Sequence, residues 1–185
     1  MKRLLVLVSV LVVGLAVIAA AGCGGNTSQA KTDMKTADTA FAAVKTQMDA
    51  LGTSLTTVLG GAVSGNFSAL TPQVIDTAET TINGILAQIP KVKADYEKIA
   101  GLSGVPDYVA YADAMIKTLG LDAASLTAGK KLIDDIKPMV QAGNTAAISQ
   151  YFQANAATIS ELQTQSAAAD KAYADAQAIK SSKNL

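Results

Sequence analysis

From Ile75 to Ile99 the chain places Ile75, Ala78, Ile82, Ile85, Ile89, Val92, Tyr96 and Ile99 at alternating steps of three and four residues. Only a helix gathers such positions on one face, because 3.6 residues make a turn while a strand would scatter them over both faces. A step averaging close to 3.5 is also the period of helices that lie side by side with interlocking side chains. Three other segments carry the same signature. One runs from Ser28 to Leu59 on Met34, Ala37, Phe41, Val44, Met48, Leu51, Leu55 and Val58. Another begins near Pro106 and Asp107 and reads Tyr108, Ala112, Met115, Leu119, Asp122, Leu126, Gly129, Ile133, Ile136 and Val140. The last follows Asn144 and reads Ile148, Phe152, Asn155, Ile159, Leu162, Ser166, Ala169, Tyr173 and Ala176.

Local signals punctuate these stripes. Gly60-Gly61 are placed to end the first helix. Thr71 followed by Pro72 suits the start of the second, as a side-chain cap and a residue that needs no amide partner. Pro90 falls inside that helix and predicts a kink. Gly120 with Asp122 marks the third as bent or broken near that glycine. Residues 142–144, Ala-Gly-Asn, form the next turn, with Asn144 as cap. The four segments have matched lengths of roughly 30 to 37 residues and short connections, which predicts an all-α, up-down-up-down antiparallel four-helix bundle about 50 Å long. An open helical array or an oligomeric coiled coil is the alternative. The bundle is expected over residues 30–181, with 182–185 a frayed tail.

The N-terminus has a different character. Lys2 and Arg3 precede an apolar run from Leu4 to Ala21 interrupted only by Ser9. A basic start, a greasy run and small residues form an export signal, and the length of the run also admits an uncleaved membrane anchor. The residues Ala20, Ala21, Gly22 and Cys23 resemble the lipobox of bacterial lipoprotein signal peptides, with Ala20 where those usually carry leucine. The resemblance covers the leader and Cys23 alone. It implies a signal peptide over 1–22, cleavage between Gly22 and Cys23, and a diacylglyceryl group on the Cys23 thiol. It also implies attachment to the extracytoplasmic face of a bacterial membrane, inner or outer. Several acyl chains hold a protein on a membrane durably where one does not. Residues 23–29, the acylated cysteine followed by Gly-Gly-Asn-Thr-Ser-Gln, read as a flexible tether.

Missing side chains narrow the chemistry. The chain has no histidine and a single cysteine. A Ser-His-Asp triad, an imidazole haem ligand and a histidine di-iron site are therefore out of reach. With Cys23 committed to lipid, neither a thiolate nucleophile nor a cysteine zinc site remains. No glycine-rich phosphate loop follows a strand. The formal charge is zero, and every cation after Arg3 is a lysine. That leaves no basic field for nucleic acid and no guanidinium fork for phosphate. The expectation is a protein that is not an enzyme, holds no metal and needs no cofactor beyond its covalent lipid.

Two groups of residues stand out as candidate sites. Asp122 sits on the apolar stripe, either as a cap after Gly120 or as a buried polar contact. Counting outward from the turn at 142–144 sets it level with Gln163 and within a turn of Ser166, and sets Gly129 opposite Ala156 and Asn155. Polar layers of this kind usually fix register, and less often bind a ligand. In the up-down topology Tyr96, Tyr108, Tyr111 and Tyr173 all map to the membrane-proximal pole. There they fill the core with hydroxyls at its wet end, line a pocket mouth or rest on headgroups. The adjacent pair Asp134-Asp135 points about 100° apart and reads as a solvated face.

These readings converge on a membrane-anchored envelope lipoprotein, a helical interaction or structural module with an unknown envelope protein as partner. The alternative is a ligand-binding or sensory accessory bundle working through a partner protein. An inner cavity lined by Asp122, Asn155 or the tyrosines speaks for the alternative; a continuously packed core speaks for the first.

Overall fold

The computed structural model describes residues 26–62 and 64–185 in full. The leader, the cleavage point between Gly22 and Cys23 and the acylated thiol lie outside these described residues. Five α-helices make up the fold, α1 (Lys2–Val63), α2 (Pro72–Ala100), α3 (Pro106–Gln141), α4 (Thr145–Ala154) and α5 (Ala156–Lys183), and there is no strand among the described residues. None of the helices, among the described residues, is long and apolar enough to cross a membrane.

Helix α2 follows its sequence pattern residue for residue. All eight stripe positions from Ile75 to Ile99 are buried, Thr71 accepts the Val74 amide on its hydroxyl at 3.3 Å, and Pro72 occupies the first turn. The helix continues through Pro90, where the missing amide costs one bond that neighbouring packing outweighs. α2 lies between α1 and α3 and packs extensively on both. Bonds between α1 and α2 run antiparallel: Asp38 meets Tyr96, and Gln47 and Gln88 exchange amide bonds at 3.2 and 3.4 Å. Between α2 and α3, Lys137 reaches back to Asp76 at 2.8 Å and Glu79 at 2.6 Å, and the two carboxylates raise its pKa, Asp76 first.

Several expected boundaries move. α1 passes through Gly60-Gly61 to Val63 and stops only where Gly65 turns left-handed at φ 84°. There the Asn66 amide closes back on the Gly61 carbonyl at 2.9 Å, an approach that leaves little room for a side chain at Gly61. The segment read as a tether is helical over 26–29: Asn26 donates its side-chain amide to the Ser103 carbonyl at 2.7 Å, and the next turn buries Ala30 completely. The tail is ordered as well. Asn184 takes a left-handed cap, the Leu185 amide bonds the Lys180 carbonyl at 3.1 Å, and the Leu185 side chain packs on the core.

Helix α3 runs unbroken across Gly120, so Asp122 is a mid-helix residue and caps nothing. The interruption comes instead in the last segment, at Asn155, which ends α4 and starts α5. Its side-chain amide bonds the Tyr151 carbonyl at 2.9 Å while its backbone amide bonds the same oxygen at 2.9 Å. A short amide side chain competing for helix carbonyls loosens a helix locally, and the apolar period stays in phase across the break. The break changes the register of the following helix. A Cβ on Gly129 would lie 4.0 Å from Leu162, not against Ala156 or Asn155, and Asp107 pairs with Lys183 at 3.1 Å. Relative to a continuous hairpin, α5 is displaced along α3 by about six residues, or about 9 Å.

Candidate functional site

The helices do not enclose the core equally on all sides. α5 packs on α3, but among the described residues no Cα of α5 comes within 8 Å of one on α1. Side chains alone cross this seam, and they do so at one end.

The crossing is built on Asp38. Its Oδ1 accepts the hydroxyls of Tyr96 and Tyr111, each at 2.7 Å, and its Oδ2 accepts Lys180 Nζ at 2.5 Å. Thus one carboxylate joins α1, α2, α3 and α5. The two tyrosine rings are almost fully buried and meet edge to face at 6.1 Å, with Lys180 Nζ 5.6 Å from the Tyr111 ring centre. Burial, with Asp38 nearby, raises both phenols well above the ordinary tyrosine pKa. They remain neutral donors under any physiological condition. The next contact across the seam is Phe41 against Tyr173, 5.2 Å between ring centres, with Lys45 Nζ 5.6 Å from the Tyr173 ring.

Beyond Tyr173 the seam opens into a groove of about 1030 Å³. It extends along α1 from Phe41 to Gly60, a span of about 28 Å at 1.5 Å per residue. Thr53, Thr56, Thr57 and Ser125 add hydroxyls to its lining, and its aliphatic walls come from Met48, Leu55 and Leu59 of α1, Leu126 of α3, and Ile159 and Leu162 of α5. All six of these wall residues are only half-buried, in contrast to the closed stripe of α2. Ile82 of α2 and the fully buried Thr118 of α3 lie at its floor, the threonine bonded to the Ala114 carbonyl at 3.0 Å.

Charge in the groove is sparse and unbalanced. Asp49, Asp122 and Asp170 line it together with a single cation, Lys45, which is held by Asp49 at 2.8 Å. Asp122 is half-buried and makes no hydrogen bond or ion pair with the described residues. Burial raises its pKa to about 6; Asp170 and Asp49 push the same way, and Lys45 opposes them in part. Among the described residues there is no cluster of three or more metal-ligating side chains.

The structure therefore sorts the sequence candidates into four places. Tyr96 and Tyr111 share the internal Asp38 clasp, with their hydroxyls turned into the protein. Tyr108 packs half-buried on the core one turn before Tyr111. Tyr173 and Asp122 line the groove with Gln163 and Ser166, while Asn155 stands at the α4–α5 junction outside its lining. Asp38 escaped sequence reasoning, although it follows the inward-facing Ala37 and a helix face is about 100° wide. Asp170 escaped it because its level opposite Asp122 depends on the shifted register of α5. The chain matches no family model, no curated protein and no solved structure.

Proposed function

We propose that this chain is a lipid-anchored, non-enzymatic lipoprotein of the bacterial envelope whose helical module binds an elongated, mainly apolar ligand in the groove between α1 and α5. The groove is the observation that carries this reading. Its volume stands at the upper end of small-molecule sites, and it combines aliphatic walls with hydroxyl and carboxylate groups. The architecture proposed for the module is an up-down-up-down four-helix bundle in which α4 and α5 form the fourth arm. A kink near Pro90 and a bend near Gly120 belong to the same proposal. The antiparallel bonds between α1 and α2, α2 and α3, and α3 and α5 support it.

In this reading Cys23 carries the diacylglyceryl anchor, 1–22 is removed, and the module stands on the extracytoplasmic face of the inner or outer membrane. A bound ligand bridges α1 and α5 where they lack mutual packing, so occupancy alters the surface offered to an envelope protein partner. A purely structural module is the second reading, favoured by the closed packing of α2 and by the Asp38 clasp.

Mass spectrometry of organic extracts from protein purified out of its native membrane tests the proposal. The expected result is one small amphiphilic molecule near equal stoichiometry, lost in Gly129→Phe, whose ring fills the groove beside Leu162. A wild-type protein that carries nothing and takes up no hydrophobic probe defeats the ligand-binding reading.

A further inference from the structure

We infer that the occupant of the α1–α5 groove is an amphiphile with a hydrocarbon tail and a cationic amine headgroup, the amine lying between Asp122 and Asp170. The inference rests on the ligand-binding reading above and adds the chemistry of the headgroup.

Length and lining specify the tail. The groove follows α1 for about 28 Å, and Leu55, Leu59, Leu126, Ile159 and Leu162 line one end of it, interspersed with Thr53, Thr56, Thr57 and Ser125. A straight chain can cover the half-buried aliphatic side chains along their whole run, where a compact ligand would leave most of them wet. Removing apolar surface from water on both partners is the driving force.

Charge specifies the head. Three carboxylates and one ammonium line the groove, and the ammonium of Lys45 is already engaged by Asp49. Asp122, half-buried on α3, and Asp170, exposed on α5, line the same groove without an ion pair of their own, and share only the longer-range field of Lys45. The only other lysine near Asp170 in sequence, Lys171, is paired with Asp175 at 2.6 Å. A carboxylate-headed ligand would meet net repulsion here, and a neutral head would leave two like charges facing one another. An ammonium group relieves that repulsion and supplies hydrogen-bond donors to a half-buried carboxylate that lacks them. The hydroxyl of Ser166, one turn before Asp170 on α5, also lines the groove and suits an amine that carries further polar substituents.

The test uses the full chain in phosphatidylcholine nanodiscs, with three single-chain probes of equal length that carry a nitroxide on the tail. Their heads are a primary ammonium, a neutral alcohol and a carboxylate, and each is compared at equal membrane mole fraction. Paramagnetic broadening of the Leu126, Ile159 and Leu162 methyl signals, set against Ile75 on α2, reports entry into the groove. The ammonium probe is expected to half-saturate at least about tenfold below the alcohol, and the carboxylate above it. Asp122→Asn with Asp170→Asn should bring the ammonium probe to the level of the alcohol measured in the same variant. Equal half-saturation for all heads, or tightest binding of the carboxylate, overturns the headgroup inference while the groove reading stands. No broadening by any probe overturns both. Methyl shifts that follow protein concentration instead would make a second copy of the chain the occupant, and overturn the amphiphile.

Discussion

Asp38 on α1 and Lys180 on α5 join at 2.5 Å across a seam that the two helices bridge through side chains alone. Both are partly shielded from solvent, and the same carboxylate also receives two buried phenols. An ion pair between exposed residues contributes little, but this one carries three charge-assisted hydrogen bonds into a mostly buried site.

Asp38→Ala is expected to lower stability by about 2–4 kcal/mol, because it strands two buried hydroxyls and one ammonium. Urea denaturation followed by circular dichroism measures it. Replacing Tyr96 and Tyr111 by Phe in the same variant should recover a large part of the loss, since the orphaned donors are then gone. A loss under about 0.5 kcal/mol would mean that water or other groups satisfy the phenols.

Asp122 gives a pH-dependent prediction of opposite sign. Its folded pKa of about 6 lies above the ordinary aspartate value of 3.8, so the proton is held more tightly in the folded state. That preference favours folding fully at low pH and is lost as the pH rises through about 6. Asp122→Asn should therefore be more stable than the parent above pH 6, by about 1–2 kcal/mol once solvent access to a half-buried group is allowed for. The difference should vanish below about pH 4. Carboxyl-carbon NMR titration of Asp122, with denaturation midpoints at both ends of the window, provides the measurement.

Gly120 lies exposed inside an unbroken α3, and a Cβ there would meet nothing within 4 Å. Gly120→Ala should raise stability by about 0.5–1 kcal/mol through helix propensity alone. A destabilised variant would mean that the proposed bend near Gly120 depends on the glycine itself. The denaturant midpoint at constant m-value distinguishes the two.

The anchor proposal predicts that Cys23→Ala abolishes incorporation of labelled fatty acid and leaves the leader attached. Metabolic labelling and the mass of the N-terminal peptide read both effects. Labelled protein from the alanine variant would remove Cys23 as the acylation site.

The helices themselves were legible in the sequence wherever their determinants are local. The eight positions of α2, its Thr71-Pro72 start and the Asn144 cap depend on contacts within three or four residues, which periodicity records directly. The continuation of α1 past Gly60-Gly61 was not legible, because helix propensity is a weak prior that tertiary packing overrides.

Asp122 and Tyr173 both line the groove, but the sequence count that set Gln163 level with Asp122 does not hold, because α5 is shifted along α3 by about six residues. What the sequence by itself determined is the helical character of the chain and the inward face of α2. The tertiary structure alone decided the register of α5, the convergence of Asp38 with Tyr96, Tyr111 and Lys180, and the open seam facing α1. The reason is geometric. A repeat of three and four residues specifies which face of a helix is apolar, but not how closely a second helix approaches it. That distance follows from packing summed around α2 and α3, and from a one-residue interruption at Asn155 that leaves the apolar repeat undisturbed.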